Sequence, residues 1–400
     1  MKSIFAIISM FLLTVRVSAT DLIVQENGPT GTYQTISAAI TASADGDRII
    51  IYPKAGENPY IENLTINKTL ELVSAQDAAR YKIQGNITIE STDNRKVTII
   101  GAYITTGNIT GTGNGWRTDV NVMGCQIDGG NIILNNQFYS QIVSNILNSG
   151  IINISHGNVI GNDLTSDTNS TIQIANSTSI ANDTINIIAN KCTSISCINN
   201  NVYLNVFNNY IKRVSGTFDF FSFLYTHADT NNEKVKFYNN TVLTPKTTFT
   251  SGNSYNRYFS CASNADIRNN IFIRTTNFLS ANPSIFEVTP ASSKSNNYYY
   301  LTENVVITGS LNSQILTQNP VTQATGELIL PTPAQNGADA SFQFYDLDLT
   351  VGDAGCYGGS YTLNNYFPIT GSSRVYFIDM PFGIIANGSP LIIKADGFDR

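Results

Sequence analysis

An Asn bracketed by apolar residues at fixed offsets recurs down the middle of this 400-residue chain. Asn145, Asn162, Asn190, Asn209, Asn240 and Asn270 each lie three positions after an apolar residue: Ile142, Val159, Ile187, Val206, Phe237 and Ile267. Another follows two positions later: Leu147, Leu164, Cys192, Ile211, Val242 and Phe272. Ala102 (flanked by Ile99 and Ile104) and Cys125 (flanked by Val122 and Ile127) keep the pattern without the Asn. Successive centres lie 17 to 31 residues apart. A constant local grammar with variable spacing is expected when each repeat is one coil of a stacked solenoid. A polar residue among core positions costs free energy unless its hydrogen bonds are met. Stacked on its equivalents, each amide donates to one neighbour and accepts from the other, which predicts a ladder. Asn also tolerates the left-handed backbone of a sharp corner, so the same residue is expected to turn the chain.

The ends and the composition bound the rest. Met1 to Ala19 carries Lys2, an apolar stretch from Ile4 to Leu13 and the small residues Val17-Ser18-Ala19, the three parts of a secretory signal peptide. Cleavage after Ala19 is expected, and the stretch is too short for a membrane anchor. Loss of Lys2 and Arg16 takes the net charge from −6 to −8, which argues against nucleic acid, whose phosphates demand clustered Lys and Arg. Charged residues make up 13%, about half the usual share, so Asn, Ser and Thr must carry solubility. An Asn-rich chain of this kind can be disordered, but disorder does not place Ile, Val and Phe at fixed offsets. Five cysteines are an odd number, so at least one is unpaired or bonds another chain. Cys125 and Cys192 occupy core positions of coils too far apart to bridge and read as small buried residues.

Thr32 to Ala44 is the one convincing helix, with Thr32 or Thr35 placed to cap it and Ile36, Ala39 and Ile40 on one face. It suits a lid over the open apolar end of the solenoid. Short β-branched strands follow to about residue 300.

The capping helix with "DGDRIIIYP", the phrase "PYIENLTINKTLELVSA" and the Asn corners in "IVSNIL", "NVIGNDL", "IIANKC", "VFNNYI", "FYNNTV" and "IRNNIF" resemble the right-handed parallel β-helix family typified by pectate lyases. The likeness covers residues 21 to 325. It implies an all-β, right-handed parallel β-helix solenoid with an N-terminal capping helix. The divisions expected are a signal peptide at 1–19, the β-helix with its cap at 20–325, and a C-terminal β extension at 326–400 that caps the far end, with Pro331-Thr332-Pro333 at the junction. Residues 344 to 361, "FYDLDLTVGDAGCYGGSY", are similar to the closing segment of many secreted bacterial β-helix proteins, often of Bacteroidetes type. The resemblance thus implies a bacterial protein, secreted or held at the cell surface.

Motifs of activity are harder to find. "PYIENLTI", residues 59–66, is similar to an early strand of pectin methylesterases, but their paired carboxylates and Gln-rich motifs have no counterpart here. "HGNVIG", residues 156–161, resembles the His-Gly motif of polygalacturonases, whose acids are missing upstream. His156 therefore reads as a corner residue of the coil. Lyases of the family imply a basic residue as proton abstractor, often with Ca²⁺. The best cluster sits in two long insertions, 212–234 and 243–264, which hold Tyr225, His227, Asp229, Glu233, Tyr255, Arg257 and Tyr258. Rings there would stack on sugars, and His227 with Asp229 or Arg257 would move protons. A pair of solvated loops is the alternative. Asp346, Asp348 and Asp353 lie close together on a Gly-containing loop. They would hold a structural Ca²⁺, the one cofactor envisaged, or else cap turns.

Two function classes remain. One is a non-catalytic secreted or surface protein, a monomer, that binds glycans or partner proteins along a solenoid face. The other is a polysaccharide lyase or hydrolase acting on uronate-containing polymers. The absence of recognisable acid, base and metal groupings favours the first.

Overall fold

A computed structural model describes residues 19–76, 79–113, 117–164, 170–175, 183–198, 201–213, 221–223, 233–244, 258–275, 285–301, 307, 309–369, 374–379 and 394–398. Residues 1–18 of the expected leader, 1–19, lie outside them. No described helix is long and apolar enough to cross a membrane.

The chain winds as a parallel β-solenoid with three strand-bearing faces. Face one stacks strands such as Asp47–Ile51, Thr118–Met123, Thr184–Ile188, Tyr203–Phe207, Val235–Tyr238 and Ala265–Arg268. Face two stacks Ala102–Thr106, Gln126–Asp128, Ile146–Asn148, Tyr210–Lys212, Thr241–Thr244 and Ile271–Arg274. Face three stacks Leu64–Ile66, Ile87–Glu90, Ile109–Thr112, Thr171–Ile174, Ser194–Cys197 and Phe221–Phe223. All of these pair in parallel, and the register puts Ile99, Val122, Ile142, Val159, Ile187, Val206, Phe237 and Ile267 in one inward column. Each is fully buried. The core is aliphatic at first and turns aromatic further on. Phe221 stacks on Phe259 at 4.6 Å, and Phe272 on Tyr299 at 5.5 Å. All five cysteines are buried.

The ladder forms, and it is longer than the sequence pattern suggested. The Asn145 backbone N–H and Nδ2 both donate to Oδ1 of Asn162, each at 2.9 Å. The same pair of bonds links Asn162 to Asn190, Asn190 to Asn209, Asn209 to Asn240, Asn240 to Asn270, and Asn270 to Asn297. Each Nδ2 from Asn145 to Asn297 also donates back to a carbonyl of the preceding coil, as Asn209 does to Ile187. A second, shorter ladder runs down another corner through Asn63, Asn86, Asn108 and Asn131.

The corner role belongs to a different residue from the one expected. Positive φ falls on the position before the ladder: Gly101, Gly124, Ser144, Gly161, Ala189, Asn208, Asn239, Asn269 and Asn296. In the late coils the first Asn of each Asn-Asn pair turns the chain and the second carries the ladder. Two requirements, left-handed backbone and a stackable amide, are thereby met by adjacent residues.

The helix spans Ile36–Ala42, shorter than expected, with Thr35 as its cap and Ile36, Ala39 and Ile40 buried against the first strands. The Glu62 carboxylate accepts from the backbone N–H of Ile36 and Ser37, at 3.0 and 2.8 Å. That satisfies two of the helix's otherwise unpaired N–H groups. Among the described residues the last bond to the parallel coil runs from Leu316 N–H to Tyr299 O. From there the described tail runs back along the outside of the solenoid instead of over its end. Tyr298 donates to Gly337 O, the Cys356 N–H to Thr241 Oγ1, Asn208 to Cys356 O, and Lys191 lies 4.0 Å from the Phe367 ring. The reason is an outward apolar stripe, including Val143, Ile160, Ile188, Leu243 and Ile273, which clusters with Val321, Ala354, Leu363 and Tyr366 of the tail.

Candidate functional site

Outward residues of face one also stack in register, and the columns have distinct chemistry. One column reads Thr98, Asn121, Gln141, Asn158, Asn186, Asn205, Lys236, Asp266, Ser293. Its amides bond to one another: Asn186 to Asn158 at 2.7 Å and Asn205 to Asn186 at 2.9 Å. Beside it lies a second column containing Asp119, Tyr139, His156, Thr184 and Tyr203. Lys234 follows, donating to the Tyr203 hydroxyl at 2.7 Å.

Where the amide row gives way to charge, a groove of about 460 Å³ opens, lined by Thr184, Tyr203, Asn205, Glu233, Lys234 and Lys236. That volume is in the range of small-ligand sites. Lys236 is exposed, and burial together with the nearby Asp266 carboxylate raises the Glu233 carboxyl above its ordinary value. At the other side of the amide column the tail forms a bank. A smaller recess of about 150 Å³ sits there, bounded by Phe207 and Tyr238 of the sheet and Phe344 and Tyr361 of the tail. Asn205 and Lys236 line both spaces.

Of the residues picked out from sequence, Tyr225, His227, Asp229, Tyr255 and Arg257 lie outside the described residues. Their connections differ: the stretch with Tyr225, His227 and Asp229 joins face three to face one beside Glu233, whereas that with Tyr255 and Arg257 joins face two to face three. Tyr258 is fully buried, its hydroxyl donating to Ile273 O at 2.7 Å and its ring edge-on to Phe272. It belongs to the core, because the strand that follows the insertion begins one residue later. His156 lies in the strand Ile152–Ile160 where it passes from face three, at Ile152–Ile154, to face one, at Asn158–Ile160, and is fully buried with Nδ1 3.4 Å from Asp183.

The three tail aspartates are engaged one by one. Asp346 accepts from the N–H of Asp353 and Gly359, at 3.1 and 2.6 Å. Asp348 accepts from the Thr350 N–H and hydroxyl, and Asp353 from the Asn336 N–H. Among the described residues no group of three His, Cys, Asp or Glu is placed to hold a metal ion. These carboxylates cap turns. Asp346 in particular ties the turn before Tyr361 to the rest of the tail.

Sequence reasoning passed over Tyr203, Asn205, Lys234 and Lys236. The signal was present, four positions before each ladder residue: Asn121, Gln141, Asn158, Asn186, Asn205, Lys236 and Asp266. A polar side chain recurring there marks the outward row as surely as the ladder marks the inward one.

No protein-family model matches the chain, and no curated protein matches it. Among solved structures it is similar to the crystal structure of pectate lyase Pel9A, with 11% identity and a TM-score of 0.37 over 86% of this chain and 98% of that one. At that level the likeness carries no functional argument, and the assignment as a parallel β-solenoid stands on the strand register itself.

Proposed function

We propose that this is a secreted or surface-held glycan-binding solenoid, non-catalytic, whose saccharide lies along face one in the groove beside Asn205. The observation that carries the reading is the groove's composition: an aromatic residue, a row of neutral amides and two lysines at one end, Lys234 and Lys236. Amides and hydroxyls bond sugar hydroxyls, ring faces stack on the apolar faces of sugars, and an exposed ammonium pairs with any acid group the polymer bears. A row repeating at strand spacing suits an extended polymer better than a compact ligand. Titration against neutral and uronate-containing oligosaccharides tests it. Lys236→Ala and Tyr203→Ala are expected to weaken binding, and the absence of binding by any glycan in the panel rejects the reading.

The enzymatic alternative draws on one observation, the raised Glu233 carboxyl in a groove also lined by Lys234 and Lys236. A carboxyl held up in this way is suited to proton transfer. New reducing ends, or absorbance from unsaturated products, on the same panel would establish it in place of simple binding.

A further inference from the structure

We propose that removal of the leader after Ala19 creates an ion pair that locks the N-terminal lid: the new α-ammonium of Thr20 on the buried carboxylate of Asp47. The inference rests on the secreted reading of the chain and is independent of the groove. The Thr20 backbone nitrogen donates to Asp47 Oδ1 at 2.8 Å, and the Ala44 N–H donates to Oδ2 at 2.7 Å. Asp47 is only 5% exposed. Both donors are uncharged in the unprocessed chain, and among the described residues no lysine or arginine pairs with Asp47. A carboxylate withdrawn from water without a counter-charge is costly. Hydrolysis of the Ala19–Thr20 bond supplies one. The oxygen of the water consumed stays with Ala19 as a carboxylate, and its two hydrogens end on the Thr20 nitrogen, which is already within hydrogen-bond distance of Asp47.

Position supplies the rest of the argument. Thr20 is where the chain joins the first coil, since its carbonyl accepts from the Arg48 N–H at 3.0 Å and the next residue, Asp21, is in register with Arg48. Asp47 opens the neighbouring strand, Asp47–Ile51, and through Ala44 holds the segment that leaves the helix Ile36–Ala42. One carboxylate thus joins the first strand to the lid. A terminus several residues earlier leaves the ammonium outside this bond. The other charged groups around it are engaged elsewhere: Arg48 pairs with Asp21 at 2.8 Å and has Glu71 in register beside it, Asp45 accepts from the Thr69 N–H, and Lys68 donates to the carbonyls of Ile40, Thr41 and Ser43.

The test compares the chain that begins at Thr20, released from a cleavable fusion, with one that begins at Val17. The longer chain keeps the Thr20 N–H but carries its ammonium three residues away. At about pH 6 the Thr20 chain is expected to melt roughly 2 °C higher. Its backbone amides in Asp21–Val24 should exchange about tenfold more slowly. An ammonium paired in the folded state titrates above its unfolded value of about 8, so its contribution is complete below that pH and is lost as pH rises through the higher folded value. The melting difference should therefore vanish at about pH 11. Asp47→Asn should also abolish it, and if that variant fails to fold the pH series alone decides. Equal behaviour of the two chains at the lower pH, or a difference that survives at the higher pH or in Asp47→Asn, overturns the ion pair. Sequencing the N-terminus of the chain exported from bacterial cells checks the secreted reading separately. Thr20 as first residue upholds the cleavage, a different first residue overturns the proposal and leaves secretion standing, and a retained leader overturns both.

Discussion

At the scale of single residues, the fold depends on two neighbours with different duties. Asn209 donates through both its backbone N–H and its amide to Asn240, and its Oδ1 receives the same pair from Asn190. Replacing it with Leu would strand donors of Asn190 and the acceptor of Asn240 inside a dry interior. The expected cost is on the order of 2–4 kcal/mol, seen as a fall in denaturant midpoint, and an unchanged midpoint would refute the ladder's importance. Leu349 shows the opposite situation: φ is 67° and the side chain is 80% exposed, so a left-handed backbone is imposed on a residue that packs on nothing. Leu349→Asn should stabilise by up to about 1 kcal/mol, since Asn adopts that conformation at lower cost and no buried area is lost. Sequence revealed the ladder because the offsets recur exactly where stacking needs them. It did not reveal which residue turns the corner, because Gly, Ser, Ala and Asn all occupy that position and only φ distinguishes them.

At the scale of elements, the course of the tail is what the sequence leaves unread. Ile188, Leu243 and Ile273 are apolar and buried, yet they point outward, and no periodicity separates a core residue from one covered by a distant segment. The tail's attachment also has an ionic part. Arg268 pairs with Asp266 at 2.8 Å and with Asp339 at 3.3 Å. Burial opposes ionisation of Asp339, but the Ser341 hydroxyl and N–H and the Arg268 guanidinium outweigh it and hold the carboxyl below its usual range. A carboxyl depressed in the folded state stabilises fully above its unfolded value, about pH 4, and loses that contribution as pH falls through the lower folded value. Asp339→Asn should therefore lower the melting temperature at about pH 6 and have little effect near pH 2.5. A penalty of equal size at both would show that the charge is irrelevant. Asp346 has the reverse sign, since burial raises its carboxyl and its ionisation opposes folding near neutrality. Its loss is still expected to destabilise, because two backbone N–H groups from separate turns lose their acceptor. Asp348, exposed and bonded among the described residues to Thr350, should tolerate Ala with little change. Metal chelation should leave the melting temperature unmoved; a drop on chelation would give these carboxylates the calcium ion they lack a visible arrangement for.

At the scale of the whole molecule, a solenoid is held by contacts between adjacent coils, and stability is close to a sum of neighbour terms. The tail breaks that locality. It contacts the coil of Tyr298, then those of Thr241, Asn208 and Lys191, and reaches Gly161 through Tyr366, spanning coils of which only successive ones touch one another. Melting should consequently be more cooperative than nearest-neighbour coupling alone would give. Ending the chain at Gln318 removes this strap and leaves the ladder, the inward columns and the capping helix intact. The parallel β signature in circular dichroism is therefore expected to persist. The outward stripe of Ile160, Ile188, Tyr210, Leu243 and Ile271 would then face water as one contiguous apolar patch, of the kind that drives association. Shortened protein should bind a hydrophobic dye, associate with rising concentration and melt lower over a broader range than the full chain. If it stays monomeric with an equally sharp transition, the stripe is covered by something other than the tail, and the flank would lose its role in both cooperativity and the recess beside Tyr361.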